Sequence, residues 1–134
     1  MAITEVRPLF NVADVGASLA FWRDNLGFEP VQTFEWEGGL AFARLKSGPA
    51  EIMLNGRGGD PAARLARPGY TDSVVYFRVD DVHALWRELT AKGVAVKAPE
   101  RQDYGVDEMI LRDPDGYELA FTSPADTEAA ESGV

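Results

Sequence analysis

Val12-Ala13-Asp14-Val15 and Val79-Asp80-Asp81-Val82 decide the fold, because each opens the same kind of segment, 67 residues apart (12 to 79). The first leads to Leu26-Gly27-Phe28 and the second to Lys92-Gly93-Val94. The same displacement lays Asp14 on Asp81, Val15 on Val82 and Ala17 on Ala84. Near the far end of each half it lays Glu51-Ile52 on Glu118-Leu119. An offset that survives across a whole half means two copies of one structural unit.

Working outward, residues Ile3 to Val12 alternate and predict a strand. Pro8 within it has no N–H for a central ladder, so the strand is an edge or bends there. Asp14 is placed to cap a helix whose apolar face is Val15, Leu19, Trp22 and Leu26, with Gly27 as its stop. Strands follow at Pro30–Trp36, Leu40–Leu45 and Ala50–Leu54, joined by turns at Glu37-Gly38-Gly39 and Ser47-Gly48-Pro49. The second half repeats the order. Ser73–Val79 is a strand. Asp81 caps a helix with Val82, Leu85, Trp86 and Leu89 on one face, ending at Gly93. Strands at Val94–Ala98, Glu108–Arg112 and Tyr117–Thr122 follow, with a tight turn at Asp113-Pro114-Asp115-Gly116. The expected division is a βαβββ module over 1–57, a linker over 58–72 with a helical turn near Ala62–Leu65, a second βαβββ module over 73–123, and a frayed tail over 124–134. The fold class is α+β, with two tandem modules whose curved mixed sheets surround a cavity and whose helices lie outside.

The chain has 134 residues, enough for a real core, with 46% hydrophobic and 26% charged residues, the balance of a soluble globular protein. It has no cysteine, which excludes disulfides, thiolate metal sites and thiol catalysis. No basic-then-apolar leader and no apolar run of membrane length stands in the sequence, so the expected location is cytoplasmic, with no membrane partner. The net charge of −9 repels phosphate backbones and argues against a nucleic-acid partner. The acidity either serves solubility alone, the favoured reading, or attracts a cationic ligand, and Asp126, Glu128 and Glu131 put part of it in the tail.

Three segments resemble the vicinal oxygen chelate superfamily, which includes glyoxalases, bleomycin resistance proteins and extradiol dioxygenases. They are Asn11 to Asp14 leading to Phe21-Trp22-Arg23-Asp24-Asn25-Leu26-Gly27-Phe28, Phe77-Arg78-Val79-Asp80-Asp81, and Leu111 to Leu119. The bleomycin resistance type is the nearest in pattern. Val6-Arg7-Pro8-Leu9 resembles the arm that such proteins exchange in forming homodimers. Asp103-Tyr104-Gly105 resembles an aromatic-glycine pair lining their binding groove, with Tyr here in place of Trp. The resemblance implies a homodimer with a small-molecule ligand.

The resemblance also implies where a divalent metal would be held in the enzymes. Those positions map to Arg7 and Met53 in the first module, and to Val74 and Ala120 in the second. None offers a hard-oxygen or imidazole donor, so no metal and no cofactor are expected. Glu51 and Glu118 lie two residues before Met53 and Ala120, on the same strand face. Both entering the cavity would suit a hard cation. Alternatively, Arg7 neutralises one of them in an ion pair. His83, the single histidine, falls between Val82 and Ala84 and is expected to be an exposed helix residue. The serines have no glycine-rich elbow, and Trp22 and Trp86 are expected to pack.

Strand alternation puts Arg7, Leu9, Asn11, Glu51 and Met53 on the internal face of one module. Val74, Tyr76, Arg78, Glu118 and Ala120 take that face in the other. Trp36 and Tyr104, beside glycine turns, are placed to flank a pocket. The binding residues expected are Arg7, Trp36, Glu51, Met53, Val74, Tyr76, Tyr104, Glu118 and Ala120, with no catalytic residue. The function expected is metal-independent sequestration of a cationic or aromatic molecule such as a bleomycin-like antibiotic. The alternatives are an enzyme of the superfamily using a displaced metal or a Glu general base, and a protein-binding module with a filled cavity.

Overall fold

In the computed structural model, which describes residues 1–125, both aspartate caps form as their spacing requires. Asp14 accepts the Ala17 N–H on its carboxylate at 3.0 Å and starts α1, Val15–Leu26. Gly27 closes that helix at φ 72°, where its lack of a side chain makes the left-handed conformation cheap. Asp81 accepts the N–H groups of His83 and Ala84 and starts α3, Val82–Ala91.

In the first unit, α1 is preceded by β1 (Leu9–Asn11) and followed by β2 (Glu29–Trp36), β3 (Gly39–Ser47) and β4 (Ala50–Asn55). The sheet order is β1-β4-β3-β2, with β1 parallel to β4 and the other pairs antiparallel. The short α2 (Pro61–Leu65) follows. The second unit repeats the plan with β5 (Val74–Arg78), α3, β6 (Glu100–Arg101), β7 (Val106–Arg112) and β8 (Glu118–Pro124), ordered β5-β8-β7-β6. The repeat holds at the level of register. Leu9 pairs with Met53, and 67 residues on, Tyr76 pairs with Ala120. By contacts the first unit comprises 1–68 with 113–117, and the second 69–112 with, among the described residues, 118–125. Among the described residues no helix is long and apolar enough to cross a membrane.

Each core lies between a helix and one sheet face. In the first unit Trp22 is fully buried, stacked on Phe10 at 5.6 Å and edge-on to Phe28 at 5.1 Å. Leu45, Ile52 and Leu54 complete that layer without exposure. In the second, Leu89, Met109, Leu119 and Phe121 are buried, and Phe77 stacks on Phe121 at 5.3 Å. Burying such a side chain contributes roughly 1.5–3 kcal/mol.

Three expected features are corrected. The strand foreseen over Ile3–Val12 exists only at Leu9–Asn11. The Pro8 carbonyl accepts the Met53 N–H at 2.8 Å, but proline has no N–H to continue the ladder, and Ile3 and Val6 lie exposed. The strand foreseen at Val94–Ala98 is absent. Val94 donates instead to the Leu89 carbonyl and finishes α3, and Glu100–Arg101 takes the place beside β7. The last strand runs on through Pro124, one residue into the expected tail, and just before it Ser123 is buried and accepts the Val82 N–H on Oγ at 3.0 Å. The remainder of the expected tail, 126–134, lies outside the described residues.

The turn at 113–117 is built on two aspartates. Asp113 Oδ1 accepts the N–H groups of Asp115 and Tyr117, and Asp115 Oδ1 accepts the Ala13 N–H at 2.9 Å. Gly116, at φ 87°, passes so close to α2 that a Cβ there would stand 2.9 Å from the Leu65 nitrogen. Burial pushes the Asp113 carboxyl up to about 6, helped by the nearby Asp115 charge and opposed by its two backbone hydrogen bonds. Its Oδ2 is buried without a partner. A carboxyl that holds its proton more tightly when folded stabilises the fold fully below its unfolded value of 3.8, and that contribution is lost as pH rises to about 6. Asp113→Asn keeps an acceptor for both N–H groups and removes the titration. At neutral pH the variant should be more stable than the parent by ~1–2 kcal/mol in urea unfolding, with the advantage vanishing toward pH 4. A constant difference across that range would show that Asp113 is ionised throughout.

Candidate functional site

The open face of the second sheet carries its chemistry. Register sets Glu118 between Val74 and Arg112, and Ala120 between Tyr76 and Ile110. Glu108 lies one row further along, between Glu100 and Thr122. Leu119 and Phe121 alternate to the buried face, which leaves these rows facing away from α3.

Glu108 is the centre of this face. Its side chain sits in a residue only 8% exposed, yet among the described residues no lysine or arginine is paired with it. It is satisfied by phenols. The Tyr104 hydroxyl donates to Oε1 at 2.7 Å and the Tyr70 hydroxyl to Oε2 at 3.3 Å. Tyr76 stands near enough to Tyr70 and Glu108 for both to influence its ionisation. The three rings remain 59%, 50% and 64% exposed at Tyr70, Tyr76 and Tyr104. Tyr70 is held at φ 59°, a left-handed conformation rare for a bulky residue, by its N–H donating to Glu118 Oε1 at 2.8 Å. An open cavity of about 450 Å³ adjoins these groups, lined among others by Tyr70, Lys97, Glu100, Glu108, Arg112 and Glu118. That volume suits a small organic ligand.

On the helix side of the same sheet Asp107 is buried between two basic groups. His83 Nε2 is 2.8 Å from its Oδ2, and Arg101 Nε is 2.6 Å from its Oδ1. Burial opposes the charged form, but the hydrogen bonds from Arg101 and His83 outweigh it and hold the carboxyl below its ordinary range. His83 is therefore not the idle exposed residue foreseen. It is half-buried, because the strand residue beneath the first turn of α3 is acidic.

The expected site residues divide between the two units. Val74, Tyr76, Tyr104, Glu118 and Ala120 belong to the second, where Tyr76 and Tyr104 meet at Glu108. Arg7, Trp36, Glu51 and Met53 belong to the first. There Glu51 is held by Arg7 Nε at 2.6 Å and by Arg44 Nη1 at 3.2 Å. Trp36 ends β2 at a two-residue turn, with Glu37 at φ 51° and Gly38 at φ 83°, and is 66% exposed. The sequence reading missed Glu108 and Tyr70. Alternation along Glu108, Ile110 and Arg112 was a usable signal for the glutamate. Nothing local marks Tyr70, whose position comes from its bonds to β7 and β8.

A divalent metal does not fit these faces. Glu51 is engaged by two guanidinium groups, Arg7 and Met53 are poor donors, and Val74 and Ala120 have no donor atom. Among the described residues, no three His, Asp or Glu side chains are grouped to hold a metal ion.

Two βαβββ units, each a four-stranded mixed sheet closed by parallel pairing of its first and last strands, define the vicinal oxygen chelate fold. The chain belongs to the Glyoxalase/Bleomycin resistance protein/Dioxygenase superfamily, whose family model matches residues 5–121. No curated protein matches the chain. Solved structures similar to it include TnmS3, an antibiotic binding protein from Streptomyces sp. CB03234, at 26% identity and TM-score 0.69, covering 93% of this chain and 99% of that one. The bleomycin-binding protein of Streptomyces verticillus, in complex with copper(II)-bleomycin, is 23% identical with a TM-score of 0.68, over 92% and 98% of the two chains. A lactoylglutathione lyase from Agrobacterium tumefaciens is 20% identical with a TM-score of 0.66, over 92% and 95%.

The phenols carry a titration signature. The hydrogen bond to Glu108 is the largest influence raising Tyr104 above its ordinary value. Tyr70 is raised by its hydrogen bond to Tyr76, by burial and by Glu108. Glu108→Gln should return Tyr104 toward ordinary phenol ionisation, read as tyrosinate absorbance appearing at lower pH. An unchanged alkaline titration curve would show that Glu108 does not hold these hydroxyls.

Proposed function

We propose that this protein binds and sequesters a small cationic or aromatic molecule on the open face of its second unit, without metal and without changing it chemically. The observation that carries the reading is a buried carboxylate that, among the described residues, is satisfied by exposed tyrosines, beside a cavity of about 450 Å³. Antibiotic-binding and bleomycin-binding proteins of the same fold support it. Bleomycin is the first ligand to test. Tyr104→Ala should weaken its binding about tenfold in calorimetry, the scale of losing one charged-group hydrogen bond and an aromatic contact. The compound should return unaltered by mass spectrometry. Recovery of a modified compound would replace sequestration by the superfamily's enzymatic chemistry.

We also propose that the working form is a homodimer. Leu9 on one sheet edge, and Val31, Phe34 and Trp36 on the other, are exposed apolar side chains in the first unit, continued by Ile3 and Val6. Apolar surface on unpaired edges is a liability unless a partner covers it. Light scattering should give twice the chain mass at micromolar concentration, and Trp36→Glu should shift it toward the monomer. A monomeric parent would overturn this.

A further inference from the structure

We propose that the Glu108 site is a receptor for a protonated primary amine on the ligand. This rests on the sequestration reading and narrows it to one chemical group. The argument begins with donors and acceptors. Each carboxylate oxygen of Glu108 already takes one phenol hydrogen, from Tyr104 and from Tyr70. A phenol that donates keeps lone pairs to accept. The face therefore presents a fixed negative charge surrounded by phenol oxygens that accept hydrogen bonds. A neutral hydrogen-bond donor gains little from that charge. A primary ammonium has one positive charge and three N–H donors, which match one carboxylate and two phenol oxygens.

Other cations fit less well. A hard divalent cation such as calcium takes six to eight oxygen ligands, and among the described residues no three His, Asp or Glu side chains are grouped to hold a metal ion. A quaternary ammonium has no N–H to offer the phenol oxygens and relies on ring faces alone. Within the chain, Arg112 on this face stands 4.0 Å from the neighbouring Glu118. Lys97 lines the cavity without pairing with Glu108. Glu118 acts as a positioning residue. By accepting the Tyr70 N–H it holds the linker in its left-handed turn and keeps the Tyr70 hydroxyl on Glu108.

Three probes of one shape decide it, titrated by calorimetry into the whole protein: benzylamine, benzyltrimethylammonium and benzyl alcohol. Benzylamine should bind about tenfold more tightly than either of the others, the ratio expected for hydrogen bonds to a charged group. Glu108→Gln should abolish that preference and leave benzyl alcohol unaffected. Should Glu108→Gln fail to fold, Tyr104→Phe, which removes one exposed hydroxyl, should lower only benzylamine affinity by several-fold. Equal binding of all three probes, an amine preference that survives Glu108→Gln, or one undiminished in Tyr104→Phe overturns the amine receptor. Absence of benzylamine binding also overturns it. In that case bleomycin binding that persists leaves sequestration standing, and loss of both removes both readings.

Discussion

Parallel pairing of the first and last strands of each unit is the constraint from which the rest follows. Leu9 opposite Met53, and Tyr76 opposite Ala120, fix which side chains lie under a helix. Strand side chains alternate with a period of two, so a slip of one residue would turn every strand over. Phe10, Ile52, Leu54, Leu119 and Phe121 would then meet water, and Glu51 and Glu118 would go beneath the helices. Each lost apolar burial costs about 1.5–3 kcal/mol and each unpaired buried charge several more. The register is thus settled by burial before any ligand is considered.

Within that shared register the two units have kept one glutamate and changed its company. Glu51 and Glu118 are equivalent in the repeat, as are Arg7 and Val74, Leu9 and Tyr76, and Met53 and Ala120. In the first unit Arg7 and Arg44 neutralise Glu51, and little charge is left for anything else. In the second, valine in place of Arg7 leaves an oxygen of Glu118 for the Tyr70 backbone. That bond draws a linker tyrosine onto the face, and the tyrosines gather on Glu108. One frame thus carries a glutamate held by two guanidinium groups in the first unit and a glutamate that holds a linker backbone in the second.

The frame was legible in the sequence because its signals are local. Asp14 and Asp81 announce helix starts, Gly27 an end, and the 67-residue offset a repeat. The open faces followed from alternation, which placed Tyr76 and Glu118 correctly. What escaped depends on partners distant in sequence. Asp107 and His83 are 24 residues apart and meet because β7 runs beneath the first turn of α3. Tyr70 and Glu108 are 38 apart and meet through a non-glycine residue in a left-handed turn, which no propensity foretells. The strand foreseen from Ile3 failed for the opposite reason: a good local pattern has no ladder to join beyond Pro8.

The turn at 113–117 is grouped by its contacts with the first unit, although the strands on either side of it belong to the second. Asp115 from this turn caps the Ala13 N–H, Arg64 donates to the Asp115 carbonyl at 2.7 Å, and the Tyr117 hydroxyl reaches the Asn11 carbonyl at 2.8 Å. A fragment ending at Pro68 would contain one entire repeat and still lack these closures. The repeat written in the sequence and the unit formed by contacts therefore have different borders, and a cut placed by the first would sever the second.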